Sequence, residues 1–420
     1  MNIKTMHFTN AYHPTSGGIR TFYHQLLAAA QTYQRHVRLV VPADATRIEE
    51  ISPYARVYHI AAPRSPFFDS RYRVLLPHSW MIPFQSTIRK IIVEEQPDLV
   101  EVADKYSLCY LGGFLRKCWI KGAKRPAVVG ISCERMDDNV AAFITSHPVG
   151  HHFADWYMKN VFTSMFDSFI AVSEYTAGEF KNSANCKGKP VYIASMGVDA
   201  KTFHPRHHDS DLREHLLKKA GGSSRSVALL YAGRLSHEKN VGLLLDTLEQ
   251  LQQIRAIDYR LIIAGSGPMA GWIEKETARR VPGRVFVIEH IKDRNYLSKL
   301  YASLDIFLHP NPKEPFGIAP LEAMASGIPV LVPNSGGVIS YANESNAWLA
   351  EANGASFAQA VQQIVINPVE RQSRINQARL TAEELDWDNA LQKFFMLYDT
   401  IVLAGHCDTN PRGDPPEVSS

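Results

Sequence analysis

The sequence has few cysteines, little net charge and no long hydrophobic run. Its cysteines, five in 420 residues, are odd in number and form no Cys-x-x-Cys pair: Cys109, Cys118, Cys133, Cys186 and Cys407. This pattern is typical of a reducing compartment and argues against a disulfide framework or a cysteine zinc site. The formal net charge of +3 gives no reason to expect nucleic acid as a partner.

The lack of long hydrophobic runs argues against a membrane-spanning helix. No stretch approaches the roughly 20 consecutive uncharged apolar residues that a membrane-spanning helix requires. The N-terminal MNIKTMHFTN lacks the apolar region of a secretory signal. With 45% hydrophobic and 21% charged residues, we expect a globular protein of the cytoplasm.

Short apolar runs alternate with longer amphipathic stretches along the whole chain. Runs rich in Val, Ile and Leu are typical of parallel strands buried on both faces, and the helical patterns between them indicate βαβ units. The predicted strands are 4–10, 37–42, 98–103, 127–132 and 168–173 in the first half, and 227–234, 260–267, 285–290, 304–310 and 328–333 in the second. This arrangement predicts an α/β protein with two doubly wound, Rossmann-like domains.

The two predicted domains meet near IASMGVDAKTFHPR. We assign residues 1–198 to an N-terminal domain and 199–385 to a C-terminal domain, and we expect the amphipathic helix 386–402 to pack back onto the first. Its aromatic residues would lie in the core: Trp387, Phe394, Phe395 and Tyr398. The polar residues 405–420 are expected to be disordered. Because ligands of open α/β sheets bind beyond the carboxyl ends of strands, the chemistry should come from strand-end loops.

Two such loops in the second domain carry glycines. In YAGRLSHEKN, Gly233 permits a tight turn, and Arg234 and Lys239 suit the compact charge of a diphosphate. The alternative is a solvated face in which Glu238 is their partner. The AGSGP loop at 264–268 either approaches a phosphate or sugar closely or is a plain turn.

The segment EPFGIAPLEAMASGIPV keeps two carboxylates, Glu314 and Glu322, in otherwise apolar surroundings. Proline suits a first helical turn, so a helix is predicted to begin near Ala319–Pro320 and to end at Gly327. The unpaired N–H groups of that helix start would form an anion site, with Glu314 before it and Glu322 within about the first turn. Stabilisation of the helix dipole would account for Glu322 but not for both carboxylates.

This segment resembles the E-x7-E signature of retaining, nucleotide-sugar-dependent glycosyltransferases of family 4. These enzymes have the GT-B architecture, in which two Rossmann-like domains face each other across a cleft. The similarity extends to AGRLSHEKN, GVDAKTFHP, GSGP and a glycine loop near the N-terminus, and it covers roughly residues 5–400. It implies a metal-independent hexosyltransferase with a UDP- or GDP-linked donor and a glycan, lipid or small-molecule acceptor.

The resemblance also implies roles for individual residues. Arg234 and Lys239 would bind the donor diphosphate and stabilise it as it leaves. Glu322 would hold the ribose hydroxyls, and Glu314 would contact the transferred sugar. Further donor contacts would come from glycines, backbone N–H groups and a strand end: Gly17, Gly18, Gly233, Gly265, Gly267, His290, Ile291, Phe316, Gly317 and Ile318.

In the first domain, Ser16, Gly17 and Gly18 precede a predicted helix. They form either an ordinary βα turn or, as the resemblance favours, a loop that closes over the donor phosphates and acceptor. Arg20 either adds positive charge to this loop or faces solvent.

The strand end VVGISCERMDDN departs from the family pattern. Many relatives have a histidine there that contacts the transferred sugar, whereas this chain has Cys133, followed by Glu134. A thiol does not replace an imidazole as a strong hydrogen-bond donor. Cys133 is therefore either a weakened catalytic residue or a buried bystander. Glu134 is a candidate polar contact, and Asp137 or Asp138 could reach the acceptor.

The acceptor and the mechanism are the least constrained. Segments 67–92 and 114–126 combine aromatic and basic residues, so they would either lie on an anionic membrane and collect a lipid acceptor or form solvated basic faces. The resemblance implies front-face attack, in which the departing diphosphate takes the acceptor proton. Cys133 keeps open a different class: a catalytically silent nucleotide-sugar-binding or scaffolding subunit. A reversible phosphorylase-like or sucrose-synthase-like enzyme is a further alternative.

Overall fold

A computed structural model of the chain describes residues 3–13, 17–65, 72–82, 86–143, 148–182, 188–254, 256–289 and 291–407. Four predictions fall wholly or partly outside these ranges, namely those on Ser16, on the segment 67–92, on His290 and on the tail at 405–420. The chain divides into two units. Unit 1 comprises Met1–Ala171, Ala177–Ala194 and Leu391–Ser420, and unit 2 comprises Val172–Thr176 and Ser195–Ala390.

Unit 1 is built on an eight-stranded sheet. Its strands are β1 Lys4–Phe8, β2 His36–Ala43, β3 Arg47–Glu50, β4 Ala55–Ala61, β5 Leu99–Val102, β6 Ala127–Ser132, β7 Ser168–Ala171 and β8 Val191–Ile193. Their order is β3-β4-β2-β1-β5-β6-β7-β8. Its helices are α1 Gly18–Thr32, α2 His78–Met81, α3 Thr87–Glu95, α4 Cys109–Arg116, α5 Met136–Phe143 and α6 Pro148–Asn160, and α7 Glu174–Asn182 begins in unit 2.

Unit 2 has a six-stranded sheet in the order β11-β10-β9-β12-β13-β14. Its strands are β9 Val227–Ala232, β10 Tyr259–Ala264, β11 Val285–Ile288, β12 Ile306–Leu308, β13 Val330–Pro333 and β14 Trp348–Ala350. Its helices are α8 Ser210–Lys219, α9 Gly242–Gln252, α10 Ala270–Arg280, α11 Arg294–Ser303, α12 Ile318–Ala325, α13 Gly354–Ile366 and α14 Pro368–Glu384. The last helix, α15 Trp387–Cys407, begins in unit 2 and continues in unit 1.

The predicted α/β class is confirmed, with added strands in both units. The predicted strands are present because their apolar runs are buried, as in β5, β7 and β13, whose residues are all buried. Strands absent from the predicted runs are β3, β4 and β8 in unit 1 and β14 in unit 2. Of these, β3 pairs antiparallel with β4 at the sheet edge. Within the described ranges, no helix is both long and apolar enough to cross a lipid bilayer.

The strand order of unit 2 creates one crevice at its carboxyl edge. The chain winds outwards from β9 through β10 to β11, then returns to the other side of β9 and continues through β12, β13 and β14. Neighbouring strands β9 and β12 are parallel, with Leu229 opposite Ile306. The loops that leave these two strands therefore diverge, and open α/β sheets bind ligands at this kind of switch point. The equivalent reversal in unit 1 lies between β1 and β5.

A buried carboxylate ties α15 into unit 1. Glu101 of β5 accepts hydrogen bonds from Tyr23 OH at 3.0 Å and Tyr398 OH at 2.7 Å, and lies 2.9 Å from His7 Nδ1. Burial, followed by the Glu101 carboxyl, raises the pKa of Tyr398 well above its usual value, so the phenol stays a donor. Phe394 packs beside Tyr398 against Phe22 of α1, with ring centroids 4.8 Å apart. The four aromatic residues predicted as core, Trp387, Phe394, Phe395 and Tyr398, are all buried.

Replacing Tyr398 with phenylalanine should destabilise unit 1 by about 2 kcal/mol, because a buried carboxylate oxygen loses its phenol donor. Urea unfolding followed by circular dichroism measures the change. Thr400→Ala on the same helix is the control, since the Thr400 hydroxyl donates to Met396 O within α15 and, among the described residues, bonds to no other element. Equal unfolding midpoints for Tyr398→Phe and the control would show that Glu101 does not anchor the helix.

Candidate active site

The loops that leave β9 and β12 begin side by side at the switch point of unit 2. The loop after β9 carries Gly233 and Arg234 and ends in a short 3-10 helix, His237–Lys239. Asn240 follows in the left-handed region, with φ +51°, and its Nδ2 donates to Pro310 O at 3.0 Å. This bond links the first loop to the loop after β12, so the residues of both are held side by side.

Lys239 of the loop after β9 and Glu314 of the loop after β12 form an ion pair. Lys239 Nζ lies 2.9 Å from Glu314 Oε1 and 2.8 Å from Oε2, and Asn311 Nδ2 donates to Oε2 at 2.9 Å. Burial raises the pKa of Glu314, but the Lys239 ammonium and its hydrogen bonds outweigh it and lower the pKa to about 2. The alternative pairing of Lys239 with Glu238 is wrong, because the Glu238 carboxylate accepts from Ser236 Oγ at 2.5 Å instead.

The segment from Glu314 to Gly317 is fixed through its carbonyl groups. Gly337 N donates to Glu314 O at 2.6 Å, Ser173 Oγ donates to Pro315 O at 2.5 Å, and Tyr341 OH donates to Gly317 O. Gly317 has φ +91°, a conformation that favours glycine. The segment then enters α12 at Ile318, one residue before the predicted start, and the first N–H groups of a helix have no acceptor within it. The anion site at this helix start stays a prediction.

Glu322 lies on α12 but has partners different from those of Glu314. As the fifth residue of the helix it belongs to the second turn, which corrects the predicted place within about the first turn. Tyr301 OH donates to Glu322 Oε2 at 3.2 Å, and Arg294 Nη2 lies 3.8 Å from Oε1. Burial raises the pKa of Glu322 to about 7, and Arg294 and Tyr301 offset only part of this. Glu322 is thus a buried carboxyl close to half ionisation at neutral pH.

Two glycines of the AGSGP loop allow close packing of backbones. A Cβ at position 265 would overlap the carbonyl oxygen of Gly233, and one at position 267 would overlap that of Leu235. Gly233 N donates to Ala264 O and Leu235 N to Ser266 O, both at 3.0 Å. The glycines therefore let this loop support the one that carries Arg234. Ile291, beyond β11, is half-buried.

In unit 1, Gly17 is the N-cap of α1 and is exposed, with nothing within 4 Å of an added Cβ. Gly18 is the first residue of the helix. The Arg20 guanidinium lies over the Tyr12 ring, 5.8 Å from its centroid, so Arg20 packs on its own domain. The role of this loop in closing over the donor stays a prediction.

Cys133 and Glu134 lie just beyond β6 on a loop that is fixed by hydrogen bonds from Lys105. Lys105, almost fully buried, donates to Ser132 Oγ at 3.0 Å and also to Glu134 O and the Glu179 carboxylate. Glu179 in turn accepts from Met136 N at 2.6 Å. Burial, with Glu101 and Glu134 next, raises the pKa of the half-buried Cys133 thiol, so it stays protonated at neutral pH. The Glu134 side chain is exposed.

Sequence reasoning missed four residues that shape these sites: Lys105, Arg294, His309 and Asn311. His309 directly follows β12, and Lys105 and Asn311 lie in the loops after β5 and β12, so the strand-end rule could have found all three. Arg294 begins α11 and carries no such signal. Its guanidinium packs over the ring of Phe203, 5.0 Å from the ring centroid. Phe203 belongs to the GVDAKTFHP segment, so Arg294 lies between that segment and Glu322.

Comparisons with known proteins agree with this architecture. A family model described as Glycosyltransferase Family 4 matches residues 16–202, and one described as Glycosyl transferases group 1 matches residues 213–381. The chain belongs to the group 1 glycosyltransferases and has the GT-B fold. The predicted class of enzyme, a glycosyltransferase, is thereby confirmed.

Individual relatives cover nearly the whole chain. A GDP-mannose-dependent alpha-(1-6)-phosphatidylinositol dimannoside mannosyltransferase of Mycobacterium tuberculosis is 28% identical, over 96% of this chain and 98% of that protein. A GDP-mannose-dependent alpha-mannosyltransferase of Corynebacterium glutamicum is 25% identical, over 79% of this chain and 72% of that protein. The solved sucrose-phosphate synthase of Thermosynechococcus elongatus shares the fold, with a TM-score of 0.72, 19% identity, and coverage of 96% of this chain and 100% of that chain.

Glu322 should make stability fall as pH rises. Its pKa is 4.5 in the unfolded chain and about 7 in the folded one. Its contribution is fully present below about pH 4.5 and is lost as pH rises through about 7, by about 3 kcal/mol in total. Urea unfolding between pH 5 and pH 8 should therefore show wild type losing stability relative to Glu322→Gln.

The exposed Glu384 provides the control, because Glu384→Gln should follow the wild-type pH profile. Parallel profiles for wild type and Glu322→Gln across this range would mean that Glu322 titrates normally in the folded protein.

Proposed function

We propose that this glycosyltransferase moves a mannosyl group from GDP-mannose to a hydroxyl of a glycolipid, with retention of anomeric configuration. Mannose and GDP are suggested by relatives described as GDP-mannose-dependent mannosyltransferases, one of which aligns along 98% of its length. The glycolipid is suggested by the phosphatidylinositol dimannoside in the name of that relative.

The observation that carries the proposal is the arrangement at the switch point of unit 2. Arg234 and Lys239 stand at the carboxyl end of β9, and Glu314 and the start of α12 stand at that of β12. Two cations and unpaired N–H groups suit a diphosphate, while a carboxylate beside them suits the hydroxyls of the attached sugar. Few ligands other than a nucleoside diphosphate sugar need this combination.

The proposed reaction takes place on one face of the sugar. The bond from the anomeric carbon to the diphosphate oxygen breaks, the acceptor oxygen forms the new bond on the same face, and the acceptor proton passes to the departing diphosphate. Arg234 and Lys239 stabilise the charge that develops on the leaving group. Glu314 holds a sugar hydroxyl, and Glu322 holds the ribose hydroxyls. Protein groups then contribute positioning and electrostatics, and no metal is required.

The surface of unit 1 offers a partial argument for a lipid acceptor. Trp119 is 53% exposed, and Met81 and Ile82 are each 46% exposed. Lys117 Nζ lies 4.7 Å from the centroid of the Trp119 ring. Such aromatic and basic groups favour the surface of an anionic membrane. Lys124 and Arg125 of the same segment are instead paired with Asp98 and Asp167, as in a solvated basic face.

A silent nucleotide-sugar-binding subunit is the second candidate, and Cys133 is the observation that favours it. The protonated thiol lies where relatives carry an imidazole, so the sugar loses a strong donor. Arg234, Lys239, Glu314 and Glu322 all remain in place, which favours an active enzyme.

Donor binding tests the proposed site. GDP-mannose should bind more tightly than UDP- or ADP-linked sugars in isothermal titration calorimetry. Arg234→Met and Lys239→Met should each weaken GDP about tenfold or more, because each removes charge-assisted hydrogen bonds. Lys218→Met is the control, since Lys218 is an exposed cation on α8 paired with Glu214. If no nucleotide sugar binds, or if both site variants bind like wild type, the proposal is wrong.

Replacing Cys133 with histidine separates an active enzyme from a silent subunit. The imidazole should supply the missing donor and raise mannosyl transfer by roughly threefold to tenfold without changing GDP affinity. Transfer is measured with radiolabelled GDP-mannose and membrane lipid. Binding of GDP-mannose with no transfer by either protein would favour the silent subunit.

A further inference from the structure

The two oxygens of the Glu314 carboxylate are held in different ways. Oε2 faces three groups: Lys239 Nζ at 2.8 Å, Asn311 Nδ2 at 2.9 Å and His309 Nε2 at 3.5 Å. Oε1, among the described residues, has Lys239 Nζ alone as its partner, at 2.9 Å. If Lys239 turns away, Oε2 therefore keeps two neighbours, while Oε1 becomes available to a ligand.

His309 Nε2 lies near Glu314 Oε2 but does not form a hydrogen bond with it. The residue follows β12 and is 4% exposed, and its backbone N–H donates to Leu331 O at 2.9 Å. Within the described part of the chain, Nε2 is buried without a hydrogen-bond partner. A buried polar group left in this way is costly and calls for an explanation. Burial lowers the pKa of His309 to about 4, despite the opposing effect of Glu314, so the ring is neutral at pH 7.

When the donor binds, its diphosphate becomes a second anion beside Lys239, in addition to the Glu314 carboxylate. An ammonium has three N–H donors, and the Glu314 carboxylate engages Lys239 through both of its oxygens. A diphosphate competes for the same cation, because Lys239 is assigned to neutralise it. The Glu314 carboxylate is buried, so losing part of its bonding to Lys239 without replacement would be strongly unfavourable.

Resting on the proposed function, we propose that His309 is a positioning residue for Glu314. When the donor diphosphate draws Lys239 away, His309 donates Nε2–H to Glu314 Oε2 and, with Asn311, keeps this oxygen fixed. Oε1 then accepts a hydrogen bond from a hydroxyl of the transferred hexose. His309 therefore supports recognition of the sugar and has no part in recognition of the nucleotide.

Comparing GDP with GDP-mannose separates these two parts of the ligand. His309→Leu should weaken binding of GDP-mannose about tenfold and leave binding of GDP within about twofold of wild type. His309→Gln should restore most of the loss, because its amide can place an N–H donor near the position of Nε2. Tyr259→Phe is the matched control, because it removes another buried polar atom that has no hydrogen-bond partner in the described part of the chain. Tyr259 lies at the start of β10 in the same sheet, and the change should alter neither affinity.

The outcomes distinguish the inference from the function on which it rests. Equal weakening of GDP and GDP-mannose by His309→Leu would indicate a merely structural histidine and overturn the inference, as would unchanged binding of both. A His309→Gln variant as weak as His309→Leu would also overturn it. If wild type binds GDP but discriminates no hexose, the inference fails while the nucleotide site stands. If wild type binds neither ligand, the proposed function itself is wrong.

Discussion

The ion pair between Lys239 and Glu314 connects the two loops on which the proposed donor site depends. Strands β9 and β12 are neighbours whose connections lead to opposite sides of the sheet, so their loops diverge unless side chains join them. A buried carboxylate next to an ammonium is stable only while the pair stays intact or is replaced by other donors. The pair therefore fixes Glu314, and the bonded carbonyl groups of the following residues fix the start of α12. Its two members are also the groups that a sugar diphosphate would separate.

Unit 1 uses the same physics to support its strand-end loops. Glu101 is satisfied by two phenols and an imidazole, and Lys105 is satisfied by Glu179 and the loop after β6. Buried polar networks whose members are all bonded make a region rigid, whereas partly bonded ones are costly. The loop that bears Cys133 is thus held by a buried cation, and α15 is held by a buried anion. The two networks therefore restrain the backbone of the Cys133 loop and of the unit 1 part of α15, both of which lie in the proposed acceptor domain.

Sequence alone predicted what depends on local pattern. Apolar runs such as 127–132 were predicted as strands because a strand buried on both faces is apolar throughout. Strand β4 was missed because Arg56 and His59 interrupt its apolar pattern. Their polar ends are satisfied by Glu95 and Glu49, which only the fold brings near. Arg234, Lys239 and Glu314 were found because motifs place them after strands. Lys105 also follows a strand, but the sequence does not show its partner Glu179, which lies 74 positions away. The helical turn that holds Glu322 depends on where α12 begins.

A crystal structure of the protein with GDP bound tests the central claim most directly. The account predicts the diphosphate within hydrogen-bond distance of Lys239 Nζ and of the backbone N–H groups at the start of α12. It also predicts that the distance between Lys239 Nζ and Glu314 Oε2 becomes longer than 2.8 Å. GDP bound away from these groups, with the ion pair still closed, would contradict the account.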